Sequence, residues 1–242
     1  MITAKNYIFL FLRLIFKFVP HRFKKRIGLD LNFERMLQKN YPENHAFCFI
    51  QVGGHDGRSF DSLYHFARSR KSTGIIVEPL IDYFARLQEN YFFNKNIVLF
   101  NKAVHPQFKD VTIYRVDPAA ITDLPDWAAG IASLDKDHHK RSGIDSRYIV
   151  PVTVPADHLM NIVGEFAQNK TDLFQCDVEG FDLETIKMID FEVLKPSIIK
   201  LEYANLNKKQ ISEAQSILKR QGYFCFYQFP DMIAVQLKKV LL

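Results

Sequence analysis

The chain reads as an α/β protein built on a mainly parallel sheet, and three observations carry that expectation. From residue 46 onward, short apolar runs alternate with amphipathic stretches, the pattern of strands joined by crossover helices. The apolar runs stop at glycines and acids, as in Gly53-Gly54, Glu78-Pro79 and Asp177-Val178-Glu179-Gly180. The last two runs are separated only by Pro230-Asp231 and read as a closing antiparallel hairpin. A parallel sheet covered on both faces binds ligands beyond the carboxyl ends of its strands, so the residues at those ends are the ones to read for function.

AFCFIQV (46–52) has the composition of a fully buried strand. SFDSLYHFARSR (59–70) then carries Phe60, Leu63, Tyr64 and Ala67 at helical spacing. GIIVEP (74–79) is a second strand, closed by Pro79, and LIDYFARLQENYF (80–92) a helix with Ile81, Phe84 and Leu87 on one face. NIVLFNKAV (96–104) reads as one third strand, and VTIYRV (111–116) alternates as an added strand. Residues 117–150 show weak periodicity with Pro118, Pro125, Gly130 and Gly143, and read as an insertion or lid. IVPVTVPADHLMNIVGEFA (149–167) is a strand followed by a helix opened near Asp157. DLFQCDVEG (172–180) and PSIIKLEY (196–203) are further strands, with helices at 181–189 and 208–222. Gly222 is placed to cap the latter. YFCFYQF (223–229) and MIAVQLKKV (232–240) form the hairpin.

Apolar residues at 48% and charged residues at 24% exclude disorder, collagen and coiled coil as descriptions of the whole chain. The net charge of +5 comes from 32 Lys/Arg against 27 Asp/Glu, and seven of those cations with no acid lie in residues 1–29, so the rest of the chain is near neutral at −2. A nucleic-acid binder would spread its cations over the folded surface, so that class is not expected. Cys48, Cys176 and Cys225 are far apart in apolar runs and read as buried hydrophobes, with no zinc or redox spacing. Their odd number favours a reducing, cytoplasmic setting.

Residues 7–19 (YIFLFLRLIFKFV) contain Arg13 and Lys17 and stop at Pro20, short of the about 20 residues a membrane span needs. The charges inside the run and the missing cleavage site also exclude a secretory signal. On a helix Asn6, Arg13, Lys17 and Lys24 share one narrow stripe. One reading lays this helix on the inner membrane surface through residues 7–26, the stripe toward lipid phosphates. Others pack the helix on the domain itself, or make residues 1–45 a lid or the contact of a homodimer, with residues 46–242 as the catalytic domain.

At the strand ends the residue types converge. The glycines of Gly53-Gly54-His55-Asp56-Gly57 allow close backbone approach to a ligand, and Gln51 and Ser59 flank them. The cluster lacks both the dinucleotide fingerprint and the Gly-Lys-Ser/Thr of a phosphate loop. Glu78, 21 residues past Gly57, is placed to accept hydrogen bonds from a ribose diol. Asn101 and Ala103 after the third strand suit an adenine ring, and Asp177 and Glu179 end the fourth. An adenosine-type ligand without a pyrophosphate follows, as in S-adenosylmethionine.

The combination resembles the FkbM-type methyltransferases. The matching pieces are FIQVGGHDGRSFDSL (49–63), IIVEP (75–79), NKAV (101–104), the Ser133-Leu134 region, VTVPAD ending at Asp157, DLFQCDVEGFDLETI (172–186) and PSIIKLEY (196–203). Two departures are Gln51, where many class I enzymes carry an acid, and Pro-Ala-Asp before position 158, where Thr-Leu-Asp is more usual. The resemblance implies a Rossmann-like class I methyltransferase fold with a seven-stranded sheet. It also implies methyl transfer from S-adenosylmethionine to a hydroxyl of a sugar, glycan or natural-product acceptor. Cofactor contacts are then expected from Gln51, Gly53, Gly54, Asp56, Gly57, Ser59, Glu78, Pro79, Asn101, Ala103 and Asp177. Asp177 is the expected base or orienting group, with Glu179 beside it. His138 is a further catalytic candidate, as are His55, His139 and Glu202, although the Lys/Asp-rich setting of His138-His139 also reads as a solvated loop. The acids together suggest a magnesium ion that acidifies the hydroxyl. A non-catalytic binding or scaffolding protein of the same fold, and a nucleotide-sugar or dinucleotide enzyme, are the competing readings.

Overall fold

The computed structural model describes residues 2–18, 20, 29–59, 61, 63–164, 166 and 170–242. Helices α1 (Ala4–Ile15) and α2 (Phe33–Asn40) precede the first strand, β1 (Cys48–Val52). Then α3 (Leu63–Arg68), β2 (Thr73–Val77), α4 (Ile81–Tyr91) and β3 (Ile97–Phe100) alternate. Four strands follow: β4 (Ala103–Val104), β5 (Asp110–Val116), β6 (Ala132–Ser133) and β7 (Ile149–Asp157). The chain continues through α5 (Leu159–Val163), β8 (Leu173–Cys176), α6 (Asp182–Lys187), β9 (Ile198–Glu202) and α7 (Lys208–Arg220). It closes in the hairpin β10 (Phe224–Gln228) and β11 (Asp231–Val235).

The main sheet has seven strands in the order β10-β11-β9-β8-β1-β2-β3. β3, β2, β1, β8 and β9 run parallel, and β11 is antiparallel to both β9 and β10. Every residue of β1 is buried because helices cover both faces. Ile50 and Val52 point into a core shared with Leu159, Ile162, Leu183, Ile186, Ala214 and Leu218 of α5–α7. Phe47 and Phe49 point the other way, into a core with Phe33, Met36, Leu37, Leu63, Ala67, Leu87 and Tyr91 of α2–α4. Residues 33–41 are therefore part of the packed body. The α7 helix opens with a capping box of Asn207 and Gln210. It ends at Gly222, whose φ of +84° allows the Gly222 N–H to reach Lys219 O and the Tyr223 N–H to reach Leu218 O.

Three features differ from the sequence expectation, and the α5 cap, expected near Asp157, is resolved to one residue. The run 96–104 is two strands, because Asn101-Lys102 turns the chain out of the main sheet and β4 pairs with β7 instead. A second sheet of order β4-β7-β5-β6 results, packed through Leu80, Tyr83, Ala103, Ile113 and Val154. The α4 face is not that of Ile81, which is 67% exposed; the buried stripe is Tyr83, Leu87 and Tyr91, at helical spacing. His158, not Asp157, caps α5, accepting from the Met160 N–H, while Asp157 accepts from the His158 N–H and from Asn161. Helix α1 turns its polar stripe inward: Asn6 is buried and Arg13 donates to Leu29 O. Phe60 and the cluster Arg22, Lys24, Lys25, Arg26 lie outside the described residues. Residues 117–148 form 3-10 turns at 118–123, 126–130, 138–142 and 146–148 around β6.

The assignment of the α4 face is directly testable. Leu87→Ala removes a fully buried side chain and should cost roughly 2–5 kcal/mol. Thermal unfolding should then shift down by at least about 4 °C. Ile81→Ala should leave Tm within about 1 °C; equal losses in the two variants would overturn the assignment.

Candidate active site

The turn after β1 is built on a backbone contact. The N–H groups of Gly53 and Gly54 both donate to Val77 O at 3.0 Å, tying β1 to the end of β2. Gly53 has a φ of +85°, and a Cβ there would stand 1.9 Å from the carbonyl oxygen of Asp177. Only glycine lets the ends of β1 and β8 approach this closely. Past it, His55 adopts a φ of +48° and its ring lies 3.8 Å, centroid to centroid, from that of Tyr83. Asp56 turns back onto the chain, accepting from the Arg58 N–H, the Ser59 N–H and the Ser59 hydroxyl. Burial alone would raise its pKa, but the hydrogen bonds from His55, Ser59 and Arg58 outweigh that and hold it well below the ordinary carboxylate range.

Glu78 stands at the end of β2, 5% exposed. Its Oε2 accepts from the His55 N–H at 2.7 Å and its Oε1 from the Leu80 N–H at 2.8 Å. Burial nevertheless pushes its pKa up to about 7. The Asn101 amide donates to Glu78 O and Pro79 O, at 2.9 Å each, and fixes the strand end. Tyr83 is held by its hydroxyl donating to Ala129 O and by the Arg115 guanidinium 4.6 Å from its ring centroid. Arg115 is itself paired with both carboxylate oxygens of Asp82.

Across the cleft, three acids gather at the ends of β8 and β9. Glu179 takes a φ of +52°, a region a non-glycine residue enters only when its surroundings impose it. Its carbonyl accepts from the Ser133 hydroxyl at 2.7 Å. Its Oε2 lies 2.9 Å from Nε2 of His138 and accepts from the Asn205 amide at 2.9 Å. The same amide donates to Glu202 Oε2 at 2.7 Å. Asp177 is exposed to the cleft, yet crowding by protein atoms, reinforced by the charge of Glu179, raises it to about 7. Burial and the charges of Asp177 and Glu179 raise Glu202 to about 9. His138 and His139 are buried, so the solvated-loop reading of this pair is corrected: the 3-10 turn at 138–142 folds His138 onto the end of β8.

These elements enclose a cavity of about 240 Å³. Of the sequence-derived candidates, Gly53, Glu78, Pro79, Ala103, Asp177, Glu179 and His55 line it. The others lie outside the lining. Gln51 is buried and donates to Asp61; Gly54 packs on Ile76 and Gly57 on Leu87 and Tyr91. Asp56 and Ser59 bond to each other, Asn101 braces the β2 end from behind, and His138 stands behind Glu179. Sequence reading passed over Tyr83, Phe181 and Asn205 as site residues, although Tyr83 and Phe181 line the cavity. Tyr83 looked like one more helix aromatic, and Asn205 carried no signal beyond standing three residues past Glu202. Among the described residues no group of three or more His, Cys, Asp or Glu is arranged to hold a metal ion, so the magnesium expectation finds no donor set there.

The donor set does fit an adenosine-type ligand. A glycine turn with no side chain on the ligand side faces a carboxylate that retains lone pairs for a diol, with apolar walls from Leu80, Tyr83 and Ile113 between them. A seven-stranded, mainly parallel sheet with a C-terminal antiparallel hairpin, carrying this turn and acid at its carboxyl end, is the class I methyltransferase fold. The family model described as "Methyltransferase FkbM domain" matches residues 51–225, and the chain belongs to that family. Similar solved structures include methyltransferase FkbM from Methylobacillus flagellatus KT, at 12% identity and TM-score 0.48, covering 78% of this chain and 43% of that one. A ribosomal protein L11 methylase from Lactobacillus delbrueckii subsp. bulgaricus is 9% identical with TM-score 0.43, over 83% and 73% of the two chains. A precorrin-6y C5,15-methyltransferase from Geobacter metallireducens GS-15 is 13% identical with TM-score 0.40, over 84% and 87%. Among curated protein sequences none matches the chain.

The raised acids make stability fall with pH. Unfolded carboxyls titrate near 4, roughly. With folded values of about 7 for Glu78 and Asp177 and about 9 for Glu202, the folded state favours the protonated forms. That contribution is complete below about pH 4 and is lost as pH rises through 7 and 9. Tm of the ligand-free protein should fall between about pH 6 and about pH 9. Glu202→Gln should reduce the fall while matching wild type at about pH 4. A Tm that rises over this range, or a variant that falls as steeply as wild type, would contradict the arrangement.

Proposed function

We propose that the protein transfers a methyl group from S-adenosylmethionine to a hydroxyl oxygen of a sugar, glycan or natural-product acceptor. The observation that carries this reading is one cavity with Glu78 and the Gly53 turn on one wall and Asp177 and Glu179 on another. Bound S-adenosylmethionine supplies an electrophilic methyl carbon on a positively charged sulfonium. Glu78 holds the ribose hydroxyls, and the Gly53 turn lets the backbone come up against the ligand. The acids near the cavity also favour a cation inside it over a neutral ligand.

An acceptor hydroxyl is a poor nucleophile while it keeps its proton. Asp177, raised above the ordinary carboxylate range, is basic enough to take that proton as the oxygen–carbon bond forms and the methyl–sulfur bond breaks, with S-adenosylhomocysteine as the leaving group. Glu179 orients the acceptor, its own carboxylate fixed by His138 and Asn205. His138 works through Glu179 as a positioning residue. The apolar part of an acceptor ring finds Trp127, Leu134 and Phe181 along the same cavity, a pairing of aromatic walls and carboxylates that suits a sugar or polyol.

The test is turnover in Asp177→Asn and Glu179→Gln, with S-adenosylhomocysteine binding followed by calorimetry. Turnover should drop by about 10²–10⁴-fold in Asp177→Asn. It should drop less in Glu179→Gln, and both variants should still bind the cofactor product. Near wild-type turnover in both would sink the assignment of these acids. No binding of S-adenosylhomocysteine by wild type, by heat or by a rise in Tm, would favour a non-catalytic protein of the same fold.

A further inference from the structure

Helix α1 is mounted opposite to an ordinary surface helix. Its polar residue is the one that is buried: Asn6 is 1% exposed and uses its whole amide on the body. The Asn6 Nδ2 donates to Leu237 O at 3.0 Å and to Val240 O at 2.6 Å, and its Oδ1 accepts from the Leu242 N–H at 2.9 Å. Arg13, on the same stripe, donates to Leu29 O at 3.1 Å, and Phe9 and Leu10 pack against the core beside them. The helix is therefore fixed by Asn6 and Arg13 with Phe9 and Leu10 beside them, and a broad apolar face is left turned outward. Tyr7, Ile8, Phe11, Leu14 and Ile15 are 67%, 57%, 54%, 69% and 58% exposed, and Phe18, just beyond the helix, is 93% exposed. At 100° per residue these five helix positions span an arc of about 120°. An apolar face of this width on a surface helix marks a docking surface.

The charge around that face selects its occupant. Residues 1–29 hold seven Lys/Arg and no acid, and Lys5 and Lys17 are exposed beside the apolar arc. Two copies of this chain meeting through α1 would bring their Lys5 and Lys17 side chains together and repel. An anionic surface would be attracted, and no helix among the described residues is long and apolar enough to cross a membrane. A helix of 12 residues is about 18 Å long, against a hydrocarbon core of about 30 Å, so it lies along an interface and does not span one. We infer that α1 binds the surface of an anionic lipid bilayer, with Tyr7, Ile8, Phe11, Leu14 and Ile15 inserted at the headgroup–acyl boundary and the flanking cations on the headgroups. The contacts of Asn6 and Arg13 then hold the body in a set orientation on that surface.

Co-sedimentation of the full chain with vesicles tests this directly. Vesicles of phosphatidylcholine with about 30% phosphatidylglycerol should retain the protein, phosphatidylcholine alone at least tenfold less, and added salt should weaken retention. The triple variant Phe11→Ser/Leu14→Ser/Ile15→Ser should lose at least tenfold in retention. Its Tm and S-adenosylhomocysteine binding should be unchanged, since the altered side chains are exposed. Retention that survives the triple variant, or that is equal on the two vesicle types, would overturn the proposal. So would a wild-type dimer in sedimentation equilibrium that the triple variant abolishes, since the face would then belong to a second copy.

Discussion

At the carboxyl end of the sheet the backbone of Gly53 lies so close to the carbonyl of Asp177 that a Cβ would come within 1.9 Å of it. Backbone meets backbone there, and the geometry of the whole cleft follows. The contact sets the spacing between the ends of β1 and β8, and the shared Val77 carbonyl adds the end of β2. Glu78 and Asp177 thereby face one cavity from different strands. The second sheet, which begins where Asn101-Lys102 takes the chain out of the main sheet, closes the cavity from the side with Ile113 and Ala132.

The electrostatics follow from the same crowding of strand ends. Glu78 is buried, Glu202 is half-buried and Asp177 stays exposed to the cleft, and packing by protein atoms raises all three, with the charge of Glu179 adding to Asp177 and Glu202. Lys200 counters part of this for Asp177, but it is already paired with Asp231 at 3.1 Å. The ligand-free site thus holds protons that a cationic ligand would displace. The strained φ of Glu179 belongs to the same design: Ser133, His138 and Asn205 together hold a conformation the residue would not adopt alone.

Much of this was legible in the sequence for a physical reason. Strands buried on both faces are continuous apolar runs, so β1, β2, β8 and β9 announced themselves, and the residues that stop such runs sit at the ligand end of the sheet. Gly53, Glu78, Asp177 and Glu179 are such residues, and they line the cavity. What failed was anything decided across the fold. Tyr83 is placed by Arg115 from β5, and Asn205 by two acids from different strands. The break between β3 and β4 depends on pairing with a strand some fifty residues on. Asp56, Gly57 and Asn101 belong to the right motifs, but here they hold the turn and the strand end rather than the cavity wall. The orientation of α1 stays open in the sequence because a periodic pattern locates the two faces of a helix without saying which one the body takes. One buried asparagine decided it.

The central claim is that closely spaced, partly protonated acids at the strand ends form a site for a cationic methyl donor. Calorimetric titration with S-adenosylmethionine near pH 6.5, in two buffers of different ionisation heat, measures it. The account predicts net proton release on binding, larger for S-adenosylmethionine than for the neutral-sulfur S-adenosylhomocysteine, and reduced in Asp177→Asn. Binding heats that do not depend on the buffer, or proton uptake, would contradict it.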